Sequence, residues 1–213
     1  MHVKTNDLIS LLAEDAPVGM RLGRMLAIAL LVGVVVSALV LLSTVGVRPN
    51  LAAAIETARV LFKIGFTLVL AAAACRLVFI VGRPGLSLKA RGLQLAVPLV
   101  FLAIAVASEL SVLPSEAWTA SMLGRNAAFC LFFIPVLSLA PLAGFLLVLK
   151  NGAPESPGLA GASAGLAAGA IAASLYAFHC PDDSPLFLAV WYSIAVLLVT
   201  TIGYLIGRRW LRW

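Results

Sequence analysis

The amino-acid sequence predicts an all-α polytopic membrane protein, a bundle of six transmembrane helices with both termini cytoplasmic. Three observations carry this expectation. Of 213 residues, 62% are apolar and 11% charged, whereas about a quarter of a typical globular domain is charged. The mean hydropathy is +1.10, and the apolar residues gather into runs long enough to cross a bilayer. The basic residues, in turn, collect between alternate runs.

A hydrocarbon layer of about 30 Å needs about 20 residues at 1.5 Å each. Runs of that length lie near 25–45, 61–81, 93–113, 126–149, 159–178 and 186–206. Backbone groups facing lipid must be paired within the segment, and the alternation of a barrel strand is absent, so each run reads as a helix. The chain then divides into a cytoplasmic N-terminal segment at 1–24, a six-helix transmembrane domain at 25–206 and a basic C-terminus at 207–213. The first run is too long for a signal-peptide core and is expected to stay as a span.

Sidedness follows from the basic residues. One set of segments holds Lys4, Arg21, Arg24, Arg83, Lys89, Arg91, Lys150, Arg208, Arg209 and Arg212. The other holds Arg48, Arg59, Lys63 and Arg125, while Arg76 falls inside the second run. The positive-inside bias places the first set in the cytoplasm. A net charge of +6 would suggest nucleic acid in a soluble protein, but here it reads as a topology signal.

Within the spans, Gly161, Gly165 and Gly169 recur every fourth residue with alanines beside them, leaving one helix face nearly without side chains. Such a face packs closely on another helix, within the bundle or across a homodimer. Pro98, Pro135 and Pro141 predict kinks in the third and fourth spans. Arg76 and Glu109 sit near span ends, where each can snorkel to the interface. Read instead as buried charges, they would suit a small transporter or channel, although the other spans offer only hydroxyl side chains along a path through the midplane.

The chain shows no phosphate-binding glycine loop, no nucleophile with a His and acid partner, no zinc-type His pair and no Cys-x-x-Cys, so catalysis is not expected. A thiol-redox membrane enzyme would need such a dithiol or cofactor ligands. Cys75 falls within the second span as a small apolar residue. Cys130 and Cys180 fall towards one membrane face, the second of them beside His179, Asp182 and Asp183. They could be inert, form a disulfide, or hold a soft metal with those three residues as further ligands, and spacing leaves the three alternatives open. No cofactor is required by any of them.

In the N-terminal segment, Leu8, Leu11 and Leu12 fall on one helical face, Thr5 or Asn6 can cap the start, and Pro17 and Gly19 end it. With Asp7, Glu14 and Asp15 alongside, this short amphipathic helix suits a protein partner, or packing on its own bundle, better than anionic lipid.

Several motifs then resemble one family. They are Lys-Thr-Asn-Asp-Leu-Ile near the start, Ile134 to Leu142 with its two prolines, Gly152-Ala153-Pro154, His179-Cys180-Pro181-Asp182-Asp183-Ser184-Pro185 followed by Trp191-Tyr192, and the closing Gly207-Arg208-Arg209. The chain is similar along nearly its whole length to the NrsF family, negative regulators of sigma F. The resemblance implies an anti-sigma factor of the bacterial inner membrane that holds an extracytoplasmic-function sigma factor until a signal arrives. It also implies that Cys130 and Cys180 match a cysteine pair associated with metal or oxidative stress.

Overall fold

The computed structural model describes residues 21–81, 92–152 and 154–212. Leu8, Leu11 and Leu12 lie outside this range. Six long apolar helices form: α1 (Leu22–Thr44), α3 (Ala58–Val81), α4 (Ala96–Val112, entered through a 3₁₀ turn at Leu93–Leu95), α6 (Ala127–Lys150), α7 (Pro157–Tyr176) and α8 (Pro185–Trp210). All six are long and apolar enough to cross a membrane. Two short helices, α2 (Leu51–Ile55) and α5 (Ser115–Leu123), occupy the segments between α1 and α3 and between α4 and α6. They lie at the same end of the bundle as the 177–184 loop, here called the Cys180 end.

Helix α7 is the centre. It packs on α8, α3 and α6, while α1 lies chiefly on α6 and α4 stays at the edge. The cause is side-chain size. A Cβ on Gly161 would run into the Gly203 carbonyl oxygen, and one on Gly165 would lie 2.5 Å from that of Val199. Gly207 makes the reciprocal approach, its missing Cβ 2.7 Å from Gly161 Cα. The expected small face of α7 is therefore occupied by α8 of the same chain, and close van der Waals contact binds the two. Gly169, further along, approaches Val196 at 3.3 Å.

The prolines act less uniformly than their sequence positions suggest. Pro98 lies in the first turn of α4, where backbone N–H groups have no intrahelical partner to lose. Helix α6 continues through both Pro135 and Pro141. Pro141 cannot donate to the Leu137 carbonyl one turn back, and the Ser37 hydroxyl of α1 donates there instead, at 2.6 Å. Gly33, one turn before Ser37, leaves room for Pro141, whose Cα would be 2.7 Å from an added Cβ. The break in the hydrogen-bond ladder thus becomes the α1–α6 contact.

Leu31, Leu39, Val97, Leu99 and Val112 point outward, as lipid-facing residues must. Arg76 is also exposed. At the end opposite the Cys180 loop, the Lys150 ammonium lies 4.5 Å from the Trp210 ring centroid, joining the ends of α6 and α8. Helix α8 runs to Trp210, so Arg208 and Arg209 form its last turn.

Backbone contact leaves no space at Gly161, whereas nothing lies within 4 Å of an added Cβ at Gly65. Gly161→Ala should lower unfolding stability in detergent by about 1–3 kcal/mol through overpacking, and Gly65→Ala should be neutral or stabilising. Equal behaviour of the two variants in a thermal melt would contradict the close α7–α8 approach.

Candidate functional site

The 177–184 loop is built by local rules. Past the end of α7, Ala177, His179 and Cys180 still donate their N–H groups to carbonyls of Ala173 and Tyr176. This extra turn sets the Cys180 side chain back into the bundle. Pro185 opens α8, and Ser184 caps it by accepting the Leu186 N–H at 3.2 Å. A π-helical turn at Leu188–Tyr192 follows.

Asp182 reaches across to α6. Its carboxylate accepts the Asn126 N–H at 2.8 Å, the Asn126 amide at 3.0 Å and the Arg125 N–H at 3.2 Å. A carboxylate at the positive end of a helix satisfies orphan donors and is favoured by the dipole. Gly124, at φ +57, makes the turn out of α5 that brings those donors to Asp182. Cys130 stands in the first turn of α6, its N–H bonded to Asn126. One carboxylate therefore fixes the start of the helix carrying Cys130 to the loop carrying Cys180.

Beneath the loop lies Lys63 of α3, fully buried. Its ammonium donates to the Cys180 carbonyl at 2.6 Å, the Asp183 carboxylate at 2.7 Å and the Asp182 carbonyl at 3.2 Å. Three donors meet three acceptors, which is what a buried ammonium requires. Asp183 is shared with Arg48, whose guanidinium bonds both carboxylate oxygens at 2.8 and 3.0 Å. Around this centre, His179 Nδ1 lies 3.0 Å from the Gly46 carbonyl and the Trp191 indole donates to Met122. Glu109 pairs with Arg59 at 3.0 Å and accepts from Ser184 at 3.2 Å. Glu109 thus serves the loop rather than facing lipid.

The cysteine sulfurs of Cys130 and Cys180 stand 4.0 Å apart, both residues wholly buried and both free thiols. Cys75 is partly buried and packs in the other core cluster. Tyr176 and Tyr192 close over the pair, with ring centroids 6.2 Å apart. Their hydroxyls are buried, and each interacts with a thiol, Tyr176 with Cys130 and Tyr192 with Cys180. Among the described residues no group of three or more His, Cys, Asp or Glu gathers as a metal-ligand set. His179, Asp182 and Asp183 are engaged as above, which leaves the two thiols as the soft donors.

The Cys180 thiol is held below its ordinary pKa, first by the hydrogen bond from Cys130 and, against burial, by the Lys63 ammonium. The sequence placed Lys63 among the interfacial charges, whereas the structure puts it at the heart of the site. A signal for it does exist: Arg59, Lys63 and Thr67 recur every fourth residue, one polar stripe along the first half of α3. Arg48 offers no comparable pattern.

Compared with known proteins, residues 12–213 match the family model for NrsF, negative regulator of sigma F. The chain is 38% identical over 216 residues to the anti-sigma-F factor NrsF of Caulobacter vibrioides, covering 99% of this chain and 100% of that one. It is 33% identical over 215 residues to the probable anti-sigma-F factor NrsF of Azospira oryzae, with the same coverage. No solved structure matches.

The Lys63 ammonium sits on the Cys180 backbone carbonyl, so its charge should favour the thiolate. In a Cys75→Ser background, the rate of disulfide closure with excess oxidant should rise with pH and level off above the Cys180 pKa, because the thiolate is the attacking form. Lys63→Met removes a positive charge that favours the thiolate, so the midpoint should move to higher pH and the rate near neutrality should fall. A superimposable profile would show that the ammonium does not act on the thiol.

Proposed function

The chain belongs to the NrsF family, the negative regulators of sigma F, and on that footing we propose that it is a membrane-bound anti-sigma factor switched by thiol oxidation. Members of this family regulate; they are not enzymes. In this reading the protein lies in the bacterial inner membrane as a multi-pass bundle with both termini in the cytoplasm. Its partner is a sigma factor of the sigma-F kind, of extracytoplasmic-function type, held on the cytoplasmic face. The Cys180 end faces the periplasm.

The observation that carries the switch is the 4.0 Å separation of the Cys130 and Cys180 sulfurs. An oxidant that removes one hydrogen from each thiol would join them at about 2.05 Å. The sulfurs must then close by about 2 Å in a core packed on all sides. Cys130 belongs to α6 and Cys180 to the loop between α7 and α8, and α8 returns to the other face. Closure would therefore favour a different arrangement of these three helices. A signal changes the population of a state only through such a difference in free energy.

Leu8, Leu11 and Leu12 are the residues proposed to hold the sigma factor, since their apolar stripe with acidic flanks suits a groove on a protein. Leu8→Asp or Leu12→Asp should free the partner while the membrane protein stays inserted, because an unpaired charge in an apolar groove costs several kcal/mol.

Cys130→Ser combined with Cys180→Ser should insert, repress and fail to respond to thiol oxidants, with Cys75→Ser behaving as wild type. The readout is co-purification of the partner from membranes before and after oxidant. A double variant that releases its partner normally would make the pair structural. A response to soft metals but not to oxidants would move the chemistry from disulfide to metal.

A further inference from the structure

Between α6 and α8, towards the end of the bundle opposite the Cys180 loop, runs a groove of about 340 Å³. Its α6 side is Leu139, Ala143 and Leu147, every fourth residue, so the small Ala143 leaves a trough between two leucines. Ile206 and Trp210, one turn apart on α8, form the facing side, and the buried Leu142 and Leu146 form the floor. Leu139 and Leu147 are 62% and 57% exposed. In a membrane that exposure is to lipid. From Leu139 to Leu147 the groove runs about 12 Å along the helix, against about 15 Å for one leaflet of the hydrocarbon layer. No acidic or basic residue lines it.

The mouth of the groove is different in kind. Lys150 follows Leu147 by three residues and Arg209 follows Ile206 by three, spacings that put each cation on the groove side of its helix. The Lys150 ammonium stands 4.5 Å from the centroid of the Trp210 ring. A ring takes one face of an ammonium and leaves N–H donors for an acceptor. Lys150 and Arg209 are both exposed, and among the described residues neither forms an ion pair. Glu155, the one acidic side chain described at this end, pairs with neither. The C-termini of α6 and α8 together bring about one negative charge, which the two cations exceed.

We propose that this groove seats an anionic phospholipid of the cytoplasmic leaflet, an acyl chain lying along α6 and α8 and the phosphate between Lys150 and Arg209. The leaflet rests on the orientation proposed above, and the thiol switch does not enter. An acyl chain suits a lining without polar side chains at hydrocarbon depth, and Trp210 has the amphipathic ring that settles at headgroup level. Two unpaired cations favour a lipid of net negative charge over a zwitterionic one, whose own ammonium they repel. The rival occupant is the stripe of Leu8, Leu11 and Leu12. Its flanking Asp7, Glu14 and Asp15 would then be carried towards hydrocarbon, where an ionised carboxylate is costly.

Native mass spectrometry of the full chain, released from detergent with phosphatidylglycerol or phosphatidylcholine of identical acyl chains, reads the bound lipid directly. The parent should hold one phosphatidylglycerol, with an affinity on the order of tenfold above that for phosphatidylcholine, as two cations at a membrane surface imply. Lys150→Gln with Arg209→Gln should abolish that preference. Arg24→Gln with Arg76→Gln, which removes the same charge from α1 and α3, should keep it. Ala143→Trp fills the trough and should lose the bound lipid of either kind. Leu139→Trp with Leu147→Trp, at lipid-facing positions, makes the same test should Ala143→Trp fail to fold. Equal affinity for the two lipids, equal loss in the two double-glutamine variants, or unchanged phosphatidylglycerol binding after the groove is filled would each overturn the assignment. Lipid-free dimers would give the groove to a second copy of the chain. Binding that appears only with Leu8→Asp and Leu12→Asp would give it to the N-terminal segment, and the lipid assignment would fall in both cases.

Discussion

A buried ammonium cannot be left unpaired, and that constraint organises the Cys180 end of this protein. Lys63 is enclosed within the bundle, so its three N–H groups must find acceptors there, and they find two loop carbonyls and the Asp183 carboxylate. Because one of those carbonyls is that of Cys180, the lysine sets the position of the thiol's own backbone. Because Asp183 also binds Arg48, the same centre draws in the segment between α1 and α3. Leaving one partner of such a buried pair uncompensated costs about 3–5 kcal/mol, a large part of the stability of most domains.

The rest of the bundle extends this local tie along the helices. Asp182 anchors the first turn of α6 at one side of the loop, and Ser184 caps α8 at the other. From there α7 and α8 run together at backbone contact through Gly161, Gly165, Gly203 and Gly207. A pair packed that closely has little room for one helix to slide along the other. Lipid gives no hydrophobic force to hold them. Fit alone does, which is why the glycines matter.

The spans were legible in the sequence because lipid imposes a length and an apolarity that nothing else in the chain satisfies. The placement of Cys130 and Cys180 at one end was legible from alternation of the spans, but their 4.0 Å separation was not, since it depends on Asp182 reaching α6. The glycine face of α7 was visible, but what it packs on was open; its complement, Gly203 and Gly207 at the same spacing on the last helix, emerges only in the structure. Lys63 was misplaced for a physical reason. Counting basic residues treats each as interfacial, whereas a lysine about one turn inside a helix can turn inward when carbonyls and a carboxylate await it. The helices α2 and α5 carry no apolar periodicity long enough to announce them, and they exist where the loop network holds their ends.

Lys63 and Asp183 are held as one unit at the Cys180 end, and a double-mutant cycle measures their coupling. Lys63→Met, Asp183→Asn and the pair would be compared by reversible unfolding of the purified full chain in detergent. The coupling energy should be about 1–3 kcal/mol, with the double variant more stable than the sum of the single losses implies. Additive losses within about 0.5 kcal/mol would mean that the two residues are energetically independent, and that the ammonium does not hold the loop that carries the thiol.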